Sequence, residues 1–338
     1  IPDGVTSIGA QAFNGCGSLG SISIPGSVTE IGSSAFNNCV GLSEFNIPDS
    51  VSSMGSGVLA GCSGLTSVSL SGGMSSIPEL TLYGCSSLGS INIPGSVGSI
   101  GSQAFGNCSG IGSISIPASV SSIDFSAFDG CSNLAEVNVE SGNGSYASSD
   151  GAVYDTSLTQ LLYCPIGKSS LTLPDSMTSI ASSAFSDCPY VYSLDVPASV
   201  TTIEVDAFTG SGIKAVTILP NTTSIGSQSS WTPDVIRGYT GSQAEKFADE
   251  NGYIFESIGT VGAEPTETPT PTPEPTDKPS QTPKPTDKPS ATPKPSPGAA
   301  GGGSNGGSTT QTGSGGGTSA GSRTSVSRNM GTAQVGSG

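Results

Sequence analysis

Apolar residues recur along most of the chain with a period of 23 residues. Ile1 to Ser23 reads IPDGVTSIGAQAFNGCGSLGSIS, and Ile93 to Ser115 reads IPGSVGSIGSQAFGNCSGIGSIS. Each unit contains the pattern L-x-x-L-x-L, whose last three positions alternate between apolar and polar residues, and this predicts a strand with one buried face. A proline usually follows, as at Pro25, and ends the strand because proline has no N–H to donate.

The other half of each unit has the pattern V-x-x-I-x-x-x-A-F-x-x-C. Its apolar residues are too sparse for one ordinary helix, so we expect a short extended piece and a single helical turn around the Ala-Phe pair. The position after the isoleucine is often glycine, but Pro78 also occupies it, and proline holds φ near about −65°. Glycine is therefore expected there because it is small. One coil buries too little surface to be stable alone, so the coils are predicted to stack into a parallel-stranded solenoid.

The unit I-P-x-S-V-x-x-I-x-x-x-A-F-x-x-C-x-x-L-x-x-I resembles the BspA-like leucine-rich repeat, also called the Treponema pallidum type. The resemblance covers residues 1–226. It implies a β-rich solenoid of 23-residue coils. It also implies an extracellular bacterial protein, because such repeats are implicated in adhesion to host or matrix proteins.

The predicted leucine-rich-repeat solenoid of residues 1–226 contains one irregular coil, at residues 140–170. The sequence Ser149-Asp150-Gly151 in this coil is a turn signal. Ala152 to Tyr154 and Leu161 to Tyr163 are predicted to be the short strands of a hairpin.

Three further segments follow the solenoid. Residues 227–259 are predicted to form a small α/β C-terminal cap, in which Ser242 with Glu245 makes a capping box and Gly252 ends the helix. Residues 260–297 are predicted to be a Pro/Thr-rich spacer, since residues 264–297 contain twelve prolines, and to hold a head away from a cell surface. Residues 298–338 are rich in Gly and Ser and are predicted to be a disordered tail.

Charge and composition exclude several classes of function. The chain has 26 acidic and 10 basic residues, a net charge of −16 and no histidine. Residues 1–167 contain eleven acidic residues and no Lys or Arg, which argues against binding to nucleic acid or to an anionic membrane. Without histidine, Ser-His and Cys-His catalysis and His-based zinc sites are impossible within this chain. We therefore predict no enzyme activity, no cofactor and no metal, and the lack of an apolar run of about 18 residues predicts no direct membrane insertion.

Cysteine recurs at one position of the unit and is predicted to form a buried structural ladder of reduced thiols. Its members are Cys16, Cys39, Cys62, Cys85, Cys108, Cys131 and Cys188. Equivalent residues of stacked coils form a straight row, which cannot surround a tetrahedral zinc ion. Their Cβ vectors run parallel, which argues against disulfides between neighbours. Cys164 lies outside the ladder, and whether it is a reactive thiol is left open.

The exposed strand positions of the regular coils are small and polar, whereas tyrosines gather near the irregular coil and its neighbour. Aromatic side chains dominate the energy of protein interfaces. The possible ligand contacts are Tyr154, Tyr163, Tyr190, Tyr192 and Asp195. An acidic pair for glycoside hydrolysis, drawn from Asp124, Asp129, Glu136 and Glu140, is the alternative, but acidic residues scattered over turns are usually solvated.

The sequence predicts an extracellular binding or adhesion module of a bacterial surface or secreted protein, monomeric and directed at a protein or matrix ligand. Two other readings are open. The chain is a structural stalk for another domain, or it is a non-catalytic module of a larger exported enzyme.

Limited proteolysis tests the predicted domain organisation. The folded body is expected to end near residue 259, so a protease should leave a core of about that size because the following segment lacks apolar residues. Mass spectrometry of the resistant fragment would locate its end. A protected fragment running past residue 300 would contradict the prediction.

Overall fold

The structure, a computed structural model, describes residues 1–262. These residues form a β-solenoid with parallel strands and about eleven coils of roughly 23 residues, so the predicted fold class is confirmed. The predicted tail, and the predicted spacer from residue 263 onward, lie outside the described residues.

Two rows of strands run along the solenoid, one from each half of the repeat. The row from the V-x-x-I half consists of β1 (Ser7–Ile8), β2 (Glu30–Ile31), β4 (Ser53–Met54), β6 (Ser76–Ile77), β7 (Ser99–Ile100), β9 (Ser122–Ile123), β14 (Ser179–Ile180), β16 (Thr202–Ile203) and β18 (Ser224–Ile225). The row from the L-x-x-L-x-L half consists of β3 (Glu44–Asn46), β5 (Ser67–Ser69), β8 (Ser113–Ile116), β10 (Glu136–Val139), β15 (Ser193–Asp195), β17 (Ala215–Thr217), β19 (Val235–Thr240) and β20 (Phe255–Thr260). Each row is made up of several sheets, in which the strands of the row pair in parallel, and Ser7 lies opposite Glu30.

The Ala-Phe segment differs from the expected helical turn in all but one of the regular coils. The residue before the pair usually has a left-handed backbone, with φ of 56° at Ser34 and 50° at Gln103. This conformation interrupts a helical path and turns alternate N–H groups toward the next coil. The Phe36 N–H, for example, donates to the Val58 carbonyl at 2.9 Å.

The one regular coil that does form a helical turn is the coil directly before the irregular coil. Phe125–Phe128 forms a 3₁₀ helix there, and the Asp124 side chain accepts hydrogen bonds from the Ser126 N–H at 3.1 Å and the Ser126 hydroxyl at 2.6 Å. The helical turn therefore forms where a local cap replaces the bonds to the next coil.

A row of aromatic side chains fills the core. Phe105 and Phe128 stack in nearly parallel planes with ring centroids 6.0 Å apart, and Leu59 and Leu82 occupy the same row in two coils. The fully buried phenylalanines are Phe36, Phe105, Phe128, Phe185 and Phe208. Each coil thus buries its apolar residues against those of the next coil, as stacked repeats require.

The irregular coil contains three strands, β11 (Ala147–Ser149), β12 (Ala152–Tyr154) and β13 (Gln160–Tyr163). β12 and β13 pair antiparallel, which confirms the predicted hairpin, and β11 adds a strand that was not predicted. Asp150 and Gly151 both have positive φ at the tip between β11 and β12, as two-residue hairpin turns prefer. β13 then pairs in parallel with β14, so the coil rejoins the regular stack.

A strand, a helix and a strand follow the last regular coil. The helix α1 (Gln243–Asn251) lies between β19 and β20, which pair in parallel. Ser242 accepts from the Glu245 N–H, and Gly252 ends the helix with φ of 71°, as the capping residues predict. Trp231 is buried beside Phe208, with 4.7 Å between ring centroids, and joins this unit to the core.

The glycine that follows the isoleucine of V-x-x-I lies where two coils approach closely. A Cβ built at Gly101 would lie 2.8 Å from the backbone nitrogen of Glu79, and the φ of Gly101 is not positive. Gly32, Gly55 and Gly226 meet the backbone of the preceding coil in the same way. Size is therefore the reason for glycine at this position.

Replacement of Gly101 by Ala is expected to destabilise the solenoid by about 1–3 kcal/mol, because the added methyl forces two backbones apart. Urea unfolding of the purified chain measures the change. Gly95→Ala in the same coil is the matched control, since a Cβ there meets nothing within 4 Å. Equal stability of the two variants would show that the close approach is unimportant.

Candidate ligand-binding face

The sheet formed by β15, β17, β19 and β20 presents a polar surface near the C-terminal end of the solenoid. Leu194, Val216 and Ile236 point into the core, so the alternate positions of these strands face solvent. One solvent-facing row in register contains Asp195, Thr217, Arg237 and Glu256, of which Asp195 and Glu256 are exposed and the other two are partly buried. The sheet therefore displays charges of both signs.

Arg237 and Lys214 are both bonded within this part of the chain, Arg237 to a residue of β20 and Lys214 to the segment before β19. The Arg237 Nε donates to Glu256 Oε2 at 2.8 Å. The Lys214 Nζ donates to the Thr232 carbonyl at 2.8 Å. Asp195 is exposed.

Two tyrosines stand at the beginning of this sheet. Tyr190 is 43% exposed and Tyr192 is 61% exposed. Tyr192 directly precedes β15, and its carbonyl accepts the Lys214 N–H at 2.9 Å. Two of the predicted contact residues are thus brought to the surface within a few residues of Asp195.

A groove of about 530 Å³ lies between residues 170–175 and β15. Asp175 and Asp195 contribute carboxylates to its lining, and no Lys or Arg does. Its lining also includes Thr172, whose N–H donates to Asp150 Oδ2 at 2.8 Å. The irregular coil therefore holds one wall of the groove, and β15 forms the other.

The contact between Asp150 and Thr172 is strengthened by an ion pair inside the irregular coil. Lys168 Nζ lies 2.9 Å from Asp150 Oδ1, and the Lys168 side chain is only 11% exposed. Partial burial favours protonated Asp150, but the Thr172 N–H and the Lys168 ammonium outweigh this effect and lower the pKa of Asp150. The carboxylate is thus ionised at neutral pH and bridges the lysine to the groove wall.

The prediction that Tyr154 and Tyr163 contact a ligand is wrong, because their side chains are 0% and 7% exposed. Tyr163 stacks on Phe125 with 5.2 Å between ring centroids and lies 5.6 Å from Phe128, so it continues the aromatic row of the core. Tyr154 packs into the C-terminal part of the core. The sequence pattern did not reveal this, since all three residues of β12 are buried and Tyr163 shares the buried face of β13 with Leu161.

The ladder cysteines occupy equivalent positions in successive coils. The thiols of Cys39, Cys62, Cys85, Cys108 and Cys131 donate to a backbone carbonyl 26 residues earlier, at 3.1–3.3 Å. Burial is the main cause that raises the pKa of Cys131 to about 11, so its thiol stays protonated at neutral pH. Cys16 differs from the expectation of a buried ladder because it is exposed. Cys164, considered as a reactive thiol, is buried instead.

Three of the four carboxylates considered for hydrolysis accept hydrogen bonds from other groups of the protein. Asp124 caps the 3₁₀ helix, Glu140 accepts from the Ala118 N–H at 3.3 Å, and Glu136 accepts from the Asn138 amide at 3.2 Å. Burial, and then the charges of Asp187 and Asp124, raise the pKa of Asp129. Within residues 1–262 no group of three or more acidic or cysteine side chains is arranged to hold a metal ion. No helix of this part of the chain is long and apolar enough to cross a membrane.

Stacked coils with L-x-x-L-x-L strands define a leucine-rich-repeat solenoid. The BspA type leucine rich repeat region matches six copies in this chain, over residues 1–111, 65–168 and 99–231. The chain belongs to this family. Comparison with curated proteins gave no match.

Solved structures of bacterial leucine-rich-repeat proteins are similar to this chain. A leucine-rich repeat protein from Bacteroides ovatus is 21% identical, with 76% of each chain covered and a TM-score of 0.49. One from Eubacterium ventriosum is 21% identical with a TM-score of 0.45, over 63% of this chain and 60% of its own. A leucine rich cell surface protein from Faecalibacterium prausnitzii is 24% identical with a TM-score of 0.39, over 72% of this chain and 85% of its own.

Replacement of Asp150 by Asn is expected to destabilise the chain by about 1–3 kcal/mol at neutral pH, because it leaves the Lys168 ammonium without its counter-charge. Since the folded pKa of Asp150 is lowered, its contribution is fully present above the unfolded pKa of about 3.9 and is lost as the pH falls through the folded value. Urea unfolding from pH 7 to pH 3 measures this, and the difference from wild type should shrink below about pH 4.

Glu250→Gln is the control for this prediction. Glu250 forms an exposed i,i+4 pair with Lys246 at 3.8 Å, which is expected to contribute less than about 0.5 kcal/mol. Equal effects of the two substitutions at neutral pH would contradict the role given to Asp150.

Proposed function

We propose that this chain is the extracellular binding head of a bacterial surface or secreted protein and adheres to a protein or matrix ligand. The observation that carries the proposal is the groove beside β15, together with the exposed tyrosines that precede this strand. Membership of the BspA-type repeat family supports a protein-binding surface module. The chain acts in this proposal by binding, without catalysis and without a cofactor.

The face is defined by Tyr190, Tyr192 and Asp195 together with the groove. Tyrosine offers a large contact area and has only two side-chain torsions to order on binding. Asp195 lies on the groove wall and on the exposed row of the sheet. These three side chains are the proposed anchors for the ligand. The irregular coil contributes to the binding face through Asp150, which bonds to Thr172 in the groove wall.

The regular coils offer a weaker surface. A smaller groove of about 240 Å³ lies on their strands, lined by Glu44, Asn46 and several serines. Serine side chains contribute little affinity once the cost of ordering is subtracted. Glu44 is the charged residue in its lining. Substitution there is therefore the control for substitutions beside the β15 groove.

The charge of the β15 groove indicates the ligand chemistry. Its lining contains two carboxylates and no basic side chain, and the chain as a whole carries a net charge of −16. A protein segment that carries Lys or Arg is therefore the proposed occupant, since complementary charge favours encounter and orientation. The proposed head acts as a monomer, and residues 260–297 serve as the spacer that displays it.

Replacement of Tyr190, Tyr192 and Asp195 together by Ala is expected to weaken adhesion about tenfold or more, because aromatic anchors carry most of the energy of an interface. Beads coated with the chain measure this on surfaces of fibronectin, laminin or collagen, since many copies together amplify a modest affinity. Binding should also fall as the salt concentration rises.

The control replaces Glu44 and Glu136 by Ala, which removes acidic groups from the regular face. This variant should adhere like the wild type. Loss of adhesion in the control, with retention in the triple variant, would move the site to the regular coils. Absence of binding by the wild type to a broad panel of matrix and cell-surface proteins would reject the adhesion proposal.

A further inference from the structure

Two cysteine side chains meet in the core at the end of the irregular coil. The sulfur atoms of Cys164 and Cys188 are 3.1 Å apart, and both residues are fully buried. The two cysteines belong to adjacent coils and are separated by 23 intervening residues. The thiols of the five ladder cysteines from Cys39 to Cys131 instead donate to backbone carbonyls.

The irregular coil creates this contact by placing a cysteine where regular coils place phenylalanine. The Cys164 N–H donates to the Ala184 carbonyl at 2.7 Å, just as the Phe185 N–H donates to the Ala207 carbonyl at 2.9 Å. The aromatic ring of this coil comes from Tyr163 instead, and the Cys164 sulfur lies against that of Cys188.

A ladder thiol usually donates to a backbone carbonyl, but the carbonyl available to Cys164 and Cys188 is poorly placed for both of them. Cys188 reaches the Pro165 carbonyl at 3.4 Å, and Cys164 reaches the same oxygen only at 3.9 Å. The two thiols therefore compete for one carbonyl. A covalent bond between them removes both donors from the core.

We propose that Cys164 and Cys188 form a disulfide when the chain folds in an oxidising environment, while the six other cysteines remain free thiols. The sulfur atoms need to approach by about 1 Å to reach the disulfide length of about 2.05 Å. The parallel arrangement that argues against disulfides between ladder neighbours does not apply here, because Cys164 occupies the phenylalanine position and not the ladder position.

The bond has to form before the core closes. Its hydrogen bond with Cys188 and its burial hold the pKa of Cys164 well above the usual range, and no oxidant reaches a fully buried sulfur. In the open chain, the Cys164 thiolate attacks a small disulfide such as oxidised glutathione, and one glutathione thiolate leaves. The Cys188 thiolate then attacks Cys164 Sγ and releases the second glutathione. Two cysteine thiols are oxidised, and one small disulfide is reduced to two thiols.

The bridge joins the chain segments that lead into the two walls of the β15 groove. Cys164 lies just before residues 170–175, and Cys188 lies just before Tyr190 and β15. The bond therefore limits the movement of one wall relative to the other. Its formation does not depend on what the groove binds, so failure of the adhesion proposal leaves it intact.

The test is oxidative refolding of the full chain from urea in a mixture of reduced and oxidised glutathione. Denaturation at low pH followed by alkylation should then find six free thiols, with the Cys164 and Cys188 peptides linked. Cleavage at acidic residues separates the two cysteines, because Asp155, Asp175 and Asp187 flank them. Trypsin is unsuitable, since the first basic residue is Lys168.

Two variants sharpen the result. Cys164→Ser should refold with seven free thiols, because Cys188 has lost its partner, whereas Cys108→Ser should keep the linked peptides and show five free thiols. Wild type that is reduced in urea and refolded with the reductant present should have a Tm lower by about 5–10 °C, as expected for a loop of this length. The same treatment should not change Tm of the Cys164→Ser variant.

Eight free thiols after oxidative refolding would overturn the proposal, as would a bridge between ladder cysteines such as Cys108 and Cys131. If the Cys164→Ser variant fails to fold, the linked peptides of the wild type and of Cys108→Ser still decide the question.

Discussion

Backbone hydrogen bonding from coil to coil is the constraint on which this structure depends. Each coil leaves N–H and carbonyl groups that only a neighbouring coil satisfies, and buried groups of this kind need partners. The Thr29 N–H donates back to the Thr6 carbonyl, whereas the Phe36 N–H donates forward to the Val58 carbonyl. Bonds in both directions fix the register between coils. A constant length of the regular coils follows, and it places equivalent core residues, such as Phe105 and Phe128, on one another in successive coils.

The irregular coil keeps the backbone hydrogen bonds to its neighbour although its sequence and length differ from those of the regular coils. β13 still pairs with β14, although Gln160 and Ser179 are only 19 residues apart instead of 23. The hairpin accommodates the changed length, and Tyr163 supplies the aromatic ring that the row requires. Lys168, held by Asp150, then leads the chain back to the regular stack. The backbone ladder is thus kept, while the side chains that fill the coil are exchanged.

The period of 23 residues predicted the solenoid and its parallel strands, because these depend on a local pattern repeated many times. The caps of α1 were predicted separately, from the capping box of Ser242 with Glu245 and from Gly252. The left-handed backbone at Ser34 was not predicted, since serine has no intrinsic preference for it and adopts it only to reach the next coil. The burial of Tyr154 and Tyr163 was missed for a related reason. A pattern within one strand cannot show that both faces of β12 are covered, or that the face of β13 shared by Leu161 and Tyr163 points into the core. Asp195 was placed correctly on the surface because β15 follows the regular alternation, and Tyr192, which precedes β15, occupies a non-core position of the L-x-x-L-x-L pattern.

A solenoid of near-identical coils acquires a distinctive surface only where its repeat changes. In residues 1–262 all four basic side chains, Lys168, Lys214, Arg237 and Lys246, lie at or after the end of the irregular coil. The exposed tyrosines and the larger strand-face groove lie in the same part of the molecule. Rigid walls reduce the entropy that a ligand has to overcome, and here the Asp150 contact and the proposed bridge both act on the walls of one groove. The irregularity that makes this region chemically distinct therefore also supplies the contacts that hold it in place.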